Sequence, residues 1–217
     1  MTYQAAIFDM DGLLLDTERL CQQAFVAARQ TFGLQGGADI FLKCVGFRGE
    51  ASDKVVRDSL PDTVDYADFT AEWDQQIAAL HKKGIPLKPG VTDLLQALKD
   101  QGTPIALATS TGSKHARENL TQSGIIDFFQ AMICGDMVQK HKPNPEVYLT
   151  AAKALGVAPT KCAAFEDSNP GTTAAVAAGM TTVQVPDLIP PSDEVKAMGH
   201  TISDDILTGA RQIGLIA

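Results

Sequence analysis

The 217-residue chain is short of basic residues: 18 Lys and Arg stand against 26 Asp and Glu, a formal net charge of −8. Nucleic acid and anionic membrane surfaces both demand an excess of Lys and Arg, so neither fits as the main partner. Long apolar runs are also missing, and none approaches the roughly 18 residues of a membrane span. The sequence opens Met1-Thr2-Tyr3-Gln4 without a basic stretch or a cleavage site, so a cytoplasmic location is expected. Cysteine is sparse and scattered. Cys21, Cys44, Cys134 and Cys162 form no C-x-x-C pair and have no His at zinc spacing. A thiolate metal site is thereby excluded, and the four read as reduced thiols packed like small hydrophobes.

What is present suffices for a sizeable core. Apolar residues make up 45% of the chain and charged ones 20%, the balance of a folded globular protein. Short apolar runs at 5–8, 105–108, 131–134, 162–165 and 182–185 do not alternate with polar residues. Such runs predict parallel strands covered on both faces. Helical patterns at 91–100, 113–123, 145–155 and 172–178 fall between them, with Pro145 at a plausible first turn. The alternation predicts an α/β fold, a doubly wound Rossmann-like parallel sheet.

One segment breaks the alternation. Residues 16–87 hold no convincing strand, only helical patterns at 18–32, 51–60 and 66–82. A parallel crossover needs about a dozen residues, so the segment is far longer than a connection requires. The expected organisation is an α/β core of residues 1–15 and 88–217 with an all-helical cap domain, 16–87, inserted over the strand ends. Trp73 reads as core of that insertion.

Ligands of open α/β sheets bind beyond the carboxyl ends of the strands. There this chain places Asp9-Met10-Asp11-Gly12, Thr109-Ser110-Thr111-Gly112, Lys140-His141-Lys142-Pro143 and Glu166-Asp167-Ser168. Each has an ordinary reading: a polar loop, a helix cap, a solvated lysine, acids at a helix N-terminus. Together they converge four carboxylates, hydroxyls and a lysine on one edge. Carboxylates at close quarters repel, so some must hold a proton or bind a cation. A hard divalent cation with oxygen ligands, Mg2+, is the natural guest. An EF-hand is excluded, because Leu13 and Leu20 occupy the later ligand positions.

The stretch from Phe8 through Asp9, Asp11 and Gly12 to Thr17 resembles the first motif of the haloacid dehalogenase-like hydrolases. Thr109 matches their second motif, Lys142-Pro143-Asn144-Pro145 the third, and Glu166-Asp167-Ser168 with Gly171 the fourth. The insertion between the first two is similar to the cap of the β-phosphoglucomutase-like branch. The resemblance implies a Mg2+-dependent phosphatase acting on a small phosphorylated, sugar-phosphate-like metabolite through an aspartyl-phosphate. It implies Asp9 as nucleophile and Asp11 as acid–base. It implies Thr109, Ser110 and Lys142 as phosphate-binding residues, and metal ligation by Asp9, Asp11 (through its carbonyl), Glu166 and Asp167. Asp11 favours phosphoryl over dehalogenase chemistry, since dehalogenase members lack the second aspartate.

Arg48, between Gly46 and Gly49, resembles the cap segment that gives mutases of this branch their phosphate contacts and that simple phosphatases also carry, and it is the candidate for choosing the leaving group. Two alternatives stay open here. A phosphosugar mutase of the same family would carry Lys-Asn where this chain has Gly112-Ser113. A serine hydrolase would use Ser110 with Asp167 and His200 in the chain order of a nucleophile elbow. The expected partners are the small phosphorylated substrate alone, with no nucleic acid and no membrane, for a monomer.

Overall fold

A computed structural model describes residues 3–45 and 50–217. It divides into two compact units, Met1–Leu15 with Pro86–Ala217, and Asp16–Ile85. The second boundary falls ahead of Leu87 because Leu87 pairs with Leu15 and the Lys88 amide donates to the Leu14 carbonyl.

The larger unit is built on a six-stranded sheet: β1 Ala5–Phe8, β2 Ile105–Ala108, β3 Ala131–Ile133, β4 Cys162–Glu166, β5 Thr181–Gln184 and β6 Thr201–Ile202. Every pairing is parallel, and the order is β3-β2-β1-β4-β5-β6. This is the doubly wound order, with its reversal between β1 and β4. Side chains alternate across the strands, so two faces need cover. On one, Ala5, Ile7, Ala106, Ala108 and Ala164 form a core with Val147, Tyr148, Ala151 and Ala152, and with Ala174 and Ala175. The small strand residues let the helices that carry these partners lie close to the sheet. On the other face Phe8 and Phe165, opposite each other in register, stack with centroids 4.9 Å apart.

The smaller unit contains α1 Thr17–Thr31, α2 Ala38–Leu42, α3 Glu50–Asp58 and α4 Tyr66–His81. The core's helices follow as α5 Val91–Asp100, α6 Ser113–Gln122, α7 Glu146–Ala154, α8 Asn169–Ala177, α9 Asp193–Lys196 and α10 Ile206–Gln212. Asp65 starts α4 by accepting from the Ala67 and Asp68 amides. Phe25 on α1 meets the Trp73 ring edge-on at 5.0 Å and Phe69 at 5.5 Å, and Trp73 Nε1 donates to the Cys21 carbonyl at 3.2 Å. Trp73 therefore holds α4 to α1. Among the described residues, no helix is long and apolar enough to cross a membrane.

Candidate active site

The reversal between β1 and β4 puts Asp9, just past β1, beside Glu166, the last residue of β4. The Asp9 amide donates to the Phe165 carbonyl at 3.0 Å, which extends the ladder to the level of the acids. Gly12 turns the chain back at φ +82°, and a Cβ there would press on Asp167. Small size and a positive φ are thus both required at that position.

Lys142 reaches the same point from the loop before α7, and its peptide bond to Pro143 is cis. Its ammonium donates to Asp9 Oδ1 at 2.5 Å, Glu166 Oε1 at 2.5 Å and the Ala108 carbonyl at 2.9 Å. An ammonium has three donors, and all three are engaged. A phosphoryl oxygen could take one only by displacing a present acceptor. Burial pulls the Lys142 pKa down, but Asp9 and Glu166 outweigh it and hold the group above its ordinary value. Asp9 is likewise raised above an ordinary carboxylate. Burial raises it to about 7, reinforced by Glu166 and Asp11 and opposed by Lys142.

Glu166 is fully buried and saturated with donors. Oε1 accepts from Lys142 and, at 2.8 Å, from the Tyr148 hydroxyl. Oε2 accepts from the Asp167 and Ser168 amides and the Ser168 hydroxyl. Ser168 Oγ in turn accepts from the Gly171 amide and caps α8. A Cβ at Gly171 would overlap the Glu166 carboxylate, so this turn admits only glycine. Tyr148 carries no chemical signal in the sequence; on α7 it falls among Val147, Ala151 and Ala152 at core spacing. Burial, then Glu166, raises its pKa well above the usual phenol value.

The loop after β2 meets the site from the other side. Thr109 is buried, and its Oγ1 accepts from the Thr111 amide at 3.1 Å. The Thr111 hydroxyl donates to Asp11 Oδ2 at 2.6 Å. These residues do not cap α6: its N-cap is Gly112, and Asp136 binds the Ser113 amide and hydroxyl at 3.0 and 2.6 Å. Ser110 is half-buried in the same loop.

One oxygen each from Asp9, Glu166 and Asp167 lies within 4.8 Å of the others, among buried groups. Three carboxylates facing one ammonium leave two negative charges, and oxygen donors suit a hard divalent cation. The donor set therefore fits Mg2+. Of the three, Glu166 could ligate only by exchanging one of its bonds.

Arg48 lies outside the described residues. The serine-triad reading fails on topology. His200 precedes β6, at the opposite sheet edge from β2, and its Nε2 is paired with Gln184 Oε1 at 2.9 Å. Four inter-strand spacings separate β2 from β6, about 19 Å, far beyond hydrogen-bond reach of Ser110.

Residues 6–185 match the family model described as haloacid dehalogenase-like hydrolase. The phosphorylated carbohydrates phosphatase of Thermotoga maritima is 31% identical over 83% of this chain and 83% of its own. Hexitol phosphatase B of Escherichia coli K12 is 32% identical over 84% of this chain and 83% of its own. The structure of CbbY from Rhodobacter sphaeroides in complex with phosphate superposes with a TM-score of 0.75 at 27% identity, covering 94% of this chain and 95% of that one.

Proposed function

The chain belongs to the haloacid dehalogenase-like hydrolase family and is a phosphatase, and from that premise we propose that it hydrolyses a small phosphorylated carbohydrate through an aspartyl-phosphate on Asp9. One observation carries the reading: Asp9, Lys142 and Glu166 form a single hydrogen-bonded cluster at the sheet reversal, with an Asp167 oxygen within 4.8 Å of the other two acids.

Asp9 Oδ1 is held by Lys142, so attack on phosphorus falls to Oδ2. As that P–O bond forms, the bond to the leaving oxygen breaks, and protonated Asp11 supplies its proton. Water then attacks the phosphorus of the aspartyl-phosphate, Asp11 takes the water's proton, and inorganic phosphate leaves with Asp9 restored. Thr109 Oγ1 accepts from the Thr111 amide, which leaves its hydroxyl hydrogen for a phosphoryl oxygen. Ser110 supplies its amide to another, and Lys142 acts through its charge. Glu166 fixes Lys142 from behind. Asp9 and Asp167, with the Asp11 carbonyl and Glu166 after a bond exchange, would hold Mg2+. Bound there, the cation neutralises charge so that a phosphate dianion can approach.

Phosphatase action is favoured over the mutase reading by Ser113. It stands where those mutases carry Asn, and its amide and hydroxyl are both tied to Asp136. The helical unit, Arg48 included, chooses the leaving group, since the strand-end residues recognise only the phosphoryl group. The active form is the monomer in the cytoplasm.

The test is phosphate release from a panel of sugar, hexitol and other polyol phosphates beside aryl phosphates and phosphorylated hydroxy acids without a polyol, with Mg2+ and Asp9→Asn protein as the blank. Release from carbohydrate phosphates above the blank is expected. Turnover confined to phosphates without a polyol leaving group would overturn the substrate class.

A further inference from the structure

The Thr111 contact reaches the acid–base residue itself. Its hydroxyl donates to Asp11 Oδ2 at 2.6 Å, across 100 residues of sequence. The Thr111 backbone is pinned on both sides, the amide by Thr109 Oγ1 at 3.1 Å and the carbonyl by the Gly135 amide at 2.9 Å. Gly135 is pressed against the neighbouring Ser110 carbonyl so closely that a Cβ would overlap it. The loop therefore has little freedom, and the hydroxyl is held where it meets the carboxylate. A group locked in this way by its own backbone is what precise orientation of an acid requires.

We infer that Thr111 is a positioning residue, which fixes Oδ2 of Asp11 as the acceptor oxygen and so assigns the transferred proton to Oδ1. This rests on the reading of Asp11 as acid–base. The carboxyl oxygen that accepts the Thr111 hydroxyl is the less basic of the two and holds an acidic proton less readily. The proton to be delivered sits on the other oxygen, and the Thr111 bond sets the plane in which that oxygen lies. The same residue joins two tasks: its amide orients the Thr109 hydroxyl for phosphate, and its side chain orients the acid for the leaving group.

The measurement is kcat/KM for a series of phosphate monoesters running from p-nitrophenyl phosphate through phenyl phosphate to an alkyl hexose phosphate. This parameter reports the steps up to formation of the aspartyl-phosphate, where a good leaving group needs no proton. Thr111→Val and Thr111→Ala should lose about 10- to 100-fold on the alkyl ester, the range for a hydrogen bond to an ionisable group, and only about 3-fold on p-nitrophenyl phosphate. Thr111→Ser, which keeps the hydroxyl, should recover most of the loss. Asp11→Asn, run in parallel, should show the same slope more steeply. Equal losses across the series, or no rescue by Ser, would overturn the positioning role while a steep Asp11→Asn series left the acid assignment standing. A flat Asp11→Asn series would remove the acid assignment, and the Thr111 role with it.

Discussion

Lys142 Nζ donates to Asp9 Oδ1 at 2.5 Å, joining residues 133 positions apart, and both side chains are less than one-tenth exposed. The pair is closed by Glu166, which is wholly buried. Removing the cation leaves two buried carboxylates facing each other. Lys142→Met should lose activity and about 3–5 kcal/mol of stability, as for other buried pairs broken from one side. Urea denaturation measures the second effect; a change below about 1 kcal/mol, the value of an exposed pair, would contradict the buried geometry.

Asp9→Asn should abolish turnover on every ester, aryl or alkyl, because it removes the attacking oxygen. Asp11→Asn should keep aryl phosphorylation and lose about 10²–10⁴-fold where a proton must be delivered. Acid-quenched protein should carry labelled phosphate in Asp11→Asn after aryl phosphate, and none in Asp9→Asn. Label in freshly prepared Asp9→Asn would place the nucleophile elsewhere.

Asp9 titrates near 7 in the folded chain because burial raises it. An unfolded Asp lies near 3.9, so the folded state binds the extra proton between those values. The sign follows: this group favours folding at the acid end, and its contribution is lost as pH rises from about 4 through 7. Metal-free protein should therefore show that downward slope, and Asp9→Asn should lack it. Mg2+ should raise stability more at pH 7.5 than at pH 5, with protons released on binding near pH 7. Denaturation series in chelator and in Mg2+, with calorimetry in two buffers, check both. Full activity in excess chelator would rule out the metal.

Asp205 caps α10, accepting from the Thr208 amide at 2.8 Å and the Thr208 hydroxyl at 2.6 Å. Those bonds hold its carboxyl below the ordinary value. Asp205→Ala should cost about 1 kcal/mol at neutral pH. The depressed pKa stabilises above the unfolded value and loses its effect as pH falls through the folded one. The variant and the parent should therefore converge in acid, as thermal melts from pH 7 downward would show.

The sheet was legible where strands are uninterrupted apolar runs. β1 and β2 lie at the residues expected, and β3, β4 and β5 within a residue at each end. β6 has only Thr201 and Ile202, half-exposed at an edge, and two residues make no periodicity. The short α2, α9 and α10 escape for the same reason. The acids and threonines of the site were legible because they stand at or just past strand ends, and the lysine because its loop follows β3, so all share one edge. Tyr148 was not, because a buried helical tyrosine shows its hydroxyl partner only in three dimensions. Asp136 and the Thr111–Asp11 bond depend likewise on which loops the strand order brings together.

Phe8 and Phe165 sit in register directly beneath Asp9 and Glu166. The spacing between the Asp9 and Glu166 backbones is consequently set by the sheet, about 4.8 Å. It cannot be tuned by degrees. A one-residue slip of β1 against β4 would put an aromatic ring where the nucleophile belongs, and no smaller adjustment exists. Chemistry at this edge is digital, kept whole or lost whole.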